Sequence, residues 1–228
     1  MLIRIGVFIL WLIHLLPFRI IVAIGNGLGT LLYPLAAERR KIGDTNLKLC
    51  FPDMSDAARE KLLRSHFKLF CRSLIERSIL WWSSAEYISG LIRVEGATHF
   101  EALKGKPAIL LTPHFVGMDA GGQWIAQHTD TVCMYANQKN RYLTELLLKK
   151  RARFRNQHLY SRQQGLRPIL KGMRAGMPFI YPPDQDQTLV TNQARIPGHK
   201  ASRFLDYPKQ SHFHRCSLLH WSKNSTSQ

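Results

Sequence analysis

The chain has 228 residues, is 45% hydrophobic, and carries 32 Lys and Arg against 15 Asp and Glu, a formal charge of +17. That apolar content excludes a disordered polyelectrolyte, and 15 Gly with 11 Pro are too few for a collagen-like chain. Four scattered cysteines without a C-x-x-C pair exclude a disulfide scaffold, a zinc ribbon and a thioredoxin-type motif, and imply reduced thiols in a cytoplasmic compartment.

From Leu2 to Ala37 the only ionisable side chains are Arg4, His14 and Arg19, and Pro17 divides the stretch into apolar runs over 5–16 and 20–37. The first is short for a bilayer span, which takes about 20 residues. The second has nearly that length, but Gly25, Asn26, Gly27, Gly29 and Pro34 weaken it as a helix. A buried helix pair is one reading. A membrane anchor or interfacial helical hairpin is the other, and Arg39-Arg40-Lys41 just beyond it would put the body of the protein on the cytoplasmic side.

Ser55 opens a helical recurrence through Leu62, Leu63, Phe67, Phe70 and Leu74, followed by Trp81-Trp82, which suits a core or a lipid interface. Strands are predicted over 92–95 (I-R-V-E), 108–112 (A-I-L-L-T), 131–135 (T-V-C-M-Y) and 179–182 (F-I-Y-P), with helices near 119–128, 140–154 and 166–175. Alternating strands and helices predict a layered α/β domain with a mostly parallel sheet.

The charge is concentrated. Residues 139–174 hold 11 basic side chains against Glu145 alone, net +10, whereas residues 1–138 are net +4. Such a segment calls for an anionic partner, and DNA, RNA, acidic lipid and acidic protein all qualify.

Thr112-Pro113-His114-Phe115-Val116-Gly117-Met118-Asp119 begins where the 108–112 strand ends and a helix starts. Ligands of open α/β sheets bind at the carboxyl ends of the strands. A loop histidine and an aspartate five residues on, in the first helical turn, can form the histidine–carboxylate half of a general-base dyad. Spacing alone equally describes a capping aspartate beside an incidental loop histidine.

H-F-V-G-M-D behind an apolar N-terminus resembles the H-x4-D/E motif of membrane-associated acyltransferases. W-L-I-H-L-L-P, R-R-K, N-L-K-L-C-F-P at 46–52, R-A-R-F at 151–154, S-R-Q-Q-G-L-R-P at 161–168 and P-P-D-Q-D at 182–186 narrow the resemblance to the lipid A late acyltransferases, over about residues 1–187. The resemblance implies transfer of an acyl chain from an acyl carrier protein thioester to a hydroxyl of a lipid A precursor at the inner membrane, with no cofactor, metal or nucleic acid. His114 would be the general base and Asp119 its orienting carboxylate. Arg153, supported by Arg151 and Arg155, would grip phosphate; Asp184 and Asp186, beyond the 179–182 strand, would position the site or a basic partner, or serve as turn formers, the commoner role of such aspartates. It also implies membrane-anchoring helices over 1–37, a partial α/β acyltransferase domain over 38–187 and an atypical tail over 188–228. A glycerophospholipid acyltransferase with the same dyad is the first alternative, and a basic membrane-tethered binding module without catalysis the second.

After Gln187 the family pattern stops. Residues 188–228 hold four of the ten histidines and no sustained apolar period. The expectation is a frameshifted terminus that leaves the α/β core without its last strands.

Overall fold

The computed structural model describes residues 2–155 and 157–182. Asp184, Asp186 and the 188–228 tail lie outside the described residues. In chain order the elements are α1 (Leu2–Ile13), α2 (Phe18–Leu35), α3 (Ala37–Cys50), α4 (Asp56–Trp82), α5 (Ala85–Leu91), α6 (Ala97–Glu101), β1 (Ile109–Leu111), α7 (Met118–His128), β2 (Thr131–Tyr135), α8 (Arg141–Arg151), β3 (Gln157–Ser161), α9 (Arg167–Arg174) and β4 (Phe179–Tyr181). They fall into two compact units, Ile9–Arg77 and residues 78–182 with the first residues through Phe8.

In the unit over Ile9–Arg77, α2 is one unbroken helix despite its glycines, because they lie where a neighbour presses closest. Gly25 and Gly29, one turn apart, share a buried stripe with Ile21, Val22 and Tyr33. A Cβ on Gly25 would sit 2.4 Å from Arg72 Cα, and one on Gly29 2.4 Å from Lys68 Cα. The pair thus lets α2 and α4 pack backbone against backbone, the small-xxx-small device. Tyr33 donates its hydroxyl to Glu60 Oε2 at 2.5 Å, and Arg64 lies 4.4 Å above the same ring. The opposite side of α2 leaves Ile20, Leu28, Leu31, Leu32 and Leu35 exposed. By length and composition α2 could cross a membrane; the more apolar α1 has 12 residues. Ser55 begins α4 as predicted, its Oγ accepting from the Ala58 amide at 3.3 Å.

In the unit over 78–182, a four-stranded parallel sheet has the order β1-β4-β2-β3. By the right-handed rule for parallel crossovers, this order assigns α7 and α8 to one face and α9, whose connection runs the other way, to the opposite face. Under α9 the core is Val132, Ile169 and Phe179, closed by Met134, Tyr160, Met173 and Met177. Gly172 brings α9 down onto β2, since a Cβ there would lie 2.2 Å from Val132 Cγ1. On the α7 side, Trp124 is buried and meets Phe100 edge-on, with ring centroids 5.3 Å apart. Trp81 is buried as well, which settles that residue as core.

The strands predicted over 108–112, 131–135 and 179–182 are β1, β2 and β4. The strand predicted over 92–95 is instead an extended link between α5 and α6. Its alternation of apolar and charged residues is genuine, but no partner strand pairs with it among the described residues. The sheet's remaining strand is β3, whose sequence Q-H-L-Y-S lacks an apolar run; it pairs with β2 along its whole length.

Candidate active site

The loop after β1 is built by its backbone. The Thr112 amide donates to the Tyr181 carbonyl at 3.0 Å, carrying the β1–β4 ladder one step past Leu111. Two tight turns follow, Phe115 N to Pro113 O at 2.7 Å and Met118 N to Phe115 O at 3.0 Å, and α7 then starts at Met118. His114 is thereby held on an exposed loop at the carboxyl end of β1. Asp119 stands half-buried in the first turn of α7, where free N–H groups favour a carboxylate. The Thr112 hydroxyl, two residues before His114, is buried without a hydrogen-bond partner among the described residues.

Of the three predicted arginines, Arg151 reaches this place. It is the last residue of α8, and its Nη2 lies 3.5 Å from Asp119 Oδ1. The residue that secures this approach has no motif signature. Gln123, one turn beyond Asp119 and buried, donates from Nε2 to the Lys150 carbonyl at 3.0 Å, pinning the end of α8 against α7. Arg151 also acts on Cys133 of β2: burial raises that thiol's pKa, and the guanidinium charge partly offsets the rise.

Arg153 and Arg155 face other tasks. Arg153 donates from Nη1 to the Leu80 carbonyl at 2.8 Å and from Nη2 to the Ser83 carbonyl, and its guanidinium stacks 4.4 Å over Phe154. Lys150 donates to the Trp81 carbonyl at 2.9 Å and rests over the Trp82 ring. Leu80 and Trp81 belong to the last turn of α4, where carbonyls lack helical partners, so the two cations cap that helix end. Burial lowers the pKa of both, with the Arg153 charge adding to the effect on Lys150. Arg155 donates to the Gln127 carbonyl at 3.0 Å. Arg153 thus has main-chain partners at the end of α4, and Arg151 stands at the Asp119 carboxylate.

The S-R-Q-Q-G-L-R-P segment also has a mechanical explanation. Ser161 and Gln164 form a reciprocal capping box around a 3₁₀ turn, Arg162–Gln164. Gly165 then takes φ 69° and ψ −168°, a region essentially open to glycine alone, and Pro168 opens α9. Among the described residues, no three of His, Cys, Asp or Glu converge as a metal site.

Comparison with known proteins identifies the family. Residues 1–193 match the family described as bacterial lipid A biosynthesis acyltransferase. The chain is 30% identical over 183 residues to a lipid A biosynthesis lauroyltransferase of Escherichia coli K12, covering 79% of this chain and 59% of that protein. It is 25% identical over 204 residues to a lipid A biosynthesis palmitoleoyltransferase of the same organism, covering 89% and 63%. A lipid A biosynthesis acyltransferase of Haemophilus influenzae is 30% identical over 173 residues, covering 75% and 55%. The chain thus spans less than two thirds of the length of these relatives. With the match running through the His114 loop, the sheet and the N-terminal helices, the chain belongs to the bacterial lipid A biosynthesis acyltransferase family.

Proposed function

We propose that this chain serves transfer of a fatty acyl group from an acyl carrier protein thioester to a hydroxyl of a lipid A precursor. The observation that carries the reading is the placing of His114 and Asp119 on one short segment at the carboxyl edge of a parallel sheet, with Arg151 on the carboxylate.

In the proposed step, the imidazole of His114 takes the proton of the acceptor hydroxyl. The oxygen attacks the thioester carbonyl, the new C–O bond forms, and the C–S bond breaks as the tetrahedral intermediate collapses. The proton held by His114 passes to the departing thiolate, so His114 ends neutral and no covalent enzyme intermediate is formed. Asp119 orients the imidazole and stabilises its protonated form, and Arg151 holds the carboxylate in place while adding positive charge beside phosphorylated substrate. Catalysis is placed at the inner membrane, on its cytoplasmic face. The exposed apolar side chains of α1 and α2 support membrane association, and Arg39-Arg40-Lys41 supports the side.

The test is an assay of the detergent-solubilised protein with acyl carrier protein thioester and a lipid A precursor. His114→Ala should lower the transfer rate by about 10²- to 10⁴-fold, the usual worth of a positioned general base. Transfer at the unaltered rate would remove His114 from the mechanism.

A further inference from the structure

The net +10 of residues 139–174 does not form one surface. Arg141 pairs with Glu145, Arg151 with Asp119, and Lys150, Arg153 and Arg155 bind main-chain carbonyls. Besides the exposed and scattered Lys139, Lys149 and Arg162, the remaining cations gather on α9. Its inner side buries Ile169 and Gly172, and its outer side carries Arg167, Lys171 and Arg174, all exposed and in no ion pair among the described residues. The helix has no carboxylate of its own. Like charges one turn apart repel, so this stripe weakens the helix it sits on unless something else answers it. Leu170 lies within the stripe at 49% exposure, with Leu166 beside its start at 60%. Arg167, Leu170, Lys171 and Arg174 together line an open groove of about 350 Å³. Because α9 follows the carboxyl end of β3, Arg167 stands on the carboxyl side of the sheet, as the His114 loop does, with β4 and β2 between their strands.

We infer that the outer face of α9 is the docking surface for a small acidic protein that presents a helix with carboxylates one turn apart around an apolar contact. On the acyl-transfer reading proposed above, on which the partner's identity rests, that protein is the acyl carrier itself. Three chemical features select this occupant. Cations at i, i+4 and i+7 form a straight row that matches carboxylates on a second helix, and Arg pairs them bidentately. A helix lying in lipid turns its apolar face to the membrane, whereas the apolar face of α9 is already buried against the sheet. A single-stranded nucleic acid surface needs aromatic stacking platforms, and the stripe has none.

The experiment measures binding of fluorescently labelled acyl carrier protein to the full-length detergent-solubilised chain by anisotropy. The variants are Arg167→Glu/Lys171→Glu/Arg174→Glu, Lys171→Glu alone, and a control with the same charge change elsewhere, Arg93→Glu/Lys104→Glu/Lys106→Glu. Circular dichroism verifies that each is folded. The stripe triple should weaken binding by about tenfold or more, the single variant should weaken it less, and the control should bind like the parent. Absence of binding by the parent, equal loss in the control, or no loss in the stripe triple would overturn the proposal. So would loss of flotation with vesicles containing anionic phospholipid while carrier affinity holds, which would assign the stripe to a lipid surface. Carrier binding that depends on the stripe without any acyl transfer would instead refute the catalytic reading and leave the docking surface standing.

Discussion

Gln123 donates to the main-chain carbonyl of Lys150 at 3.0 Å, and that bond ties the middle of α7 to the end of α8. The next residue after Lys150 is Arg151, and the residue one turn before Gln123 is Asp119. The ion pair at the candidate site is therefore held by a buried amide that does not belong to it. Gln123→Leu keeps the volume but leaves the carbonyl unpaired, at a cost of about 1–3 kcal/mol. We expect a lower melting temperature together with slower acyl transfer, whereas Gln123→Glu at low pH, with its carboxyl protonated, should retain part of the bond and of the melting temperature.

The arginines should separate cleanly. Arg151→Ala removes the cation beside Asp119 and should slow transfer by about tenfold or more while changing stability by less than about 1 kcal/mol, the range of a partly exposed pair. Arg153→Ala removes two charge-assisted bonds to α4 carbonyls and should destabilise by about 1–3 kcal/mol in urea unfolding. If Arg153→Ala instead kept its stability and lost affinity for phosphorylated substrate, its role as a brace would be wrong.

Cys133 offers a reading of the same site that needs no turnover. Burial raises its thiol pKa, so at pH 8 less of it is thiolate than of an ordinary cysteine. Alkylation followed by peptide mass spectrometry should label exposed Cys50 well before Cys133, by about tenfold in rate. Because the Arg151 charge holds the Cys133 pKa down, Arg151→Gln should raise it further, slow its labelling at fixed pH and move its rate–pH profile upward. Faster labelling in that variant would mean that loosening of the fold outweighs the charge.

Gly29→Leu tests the helix contact. A side chain there meets the main chain of Lys68 rather than a movable tip, so α2 and α4 must part. Overpacking of this kind costs about 1–3 kcal/mol or more, and limited proteolysis should cut α2 and α4 sooner than in the parent. Gly27→Ala, with open space around its Cβ position, should be neutral or stabilising.

Much of the fold could be read in advance where burial writes itself into composition. The apolar runs of β1, β2 and β4 and the periodicity of α7, α8 and α9 are of this kind, and the His114 loop follows from where β1 ends. β3 escaped because it is half-buried throughout and holds its place through Gln157 and Thr131, whose side chains bond each other across the ladder. The 92–95 segment misled for the opposite reason: it alternates as a strand does, but pairing is a property of neighbours. The bracing contacts of Arg153 are not legible in sequence because its partners are carbonyls of Leu80 and Ser83, some 70 residues earlier, which no side-chain pattern announces. Gly25 and Gly29 looked like helix breakers when only their own helix was considered. Against α4 they are contact points.

Two uses of positive charge coexist in this chain, and ionic strength should tell them apart. Lys150 and Arg153 hold the end of α4 through hydrogen bonds in a partly desolvated place, where mobile ions barely enter. The row on α9 faces water, and its reach is cut to about 8 Å at physiological ionic strength. Added salt would then detach whatever α9 holds while the brace at the end of α4 stays closed.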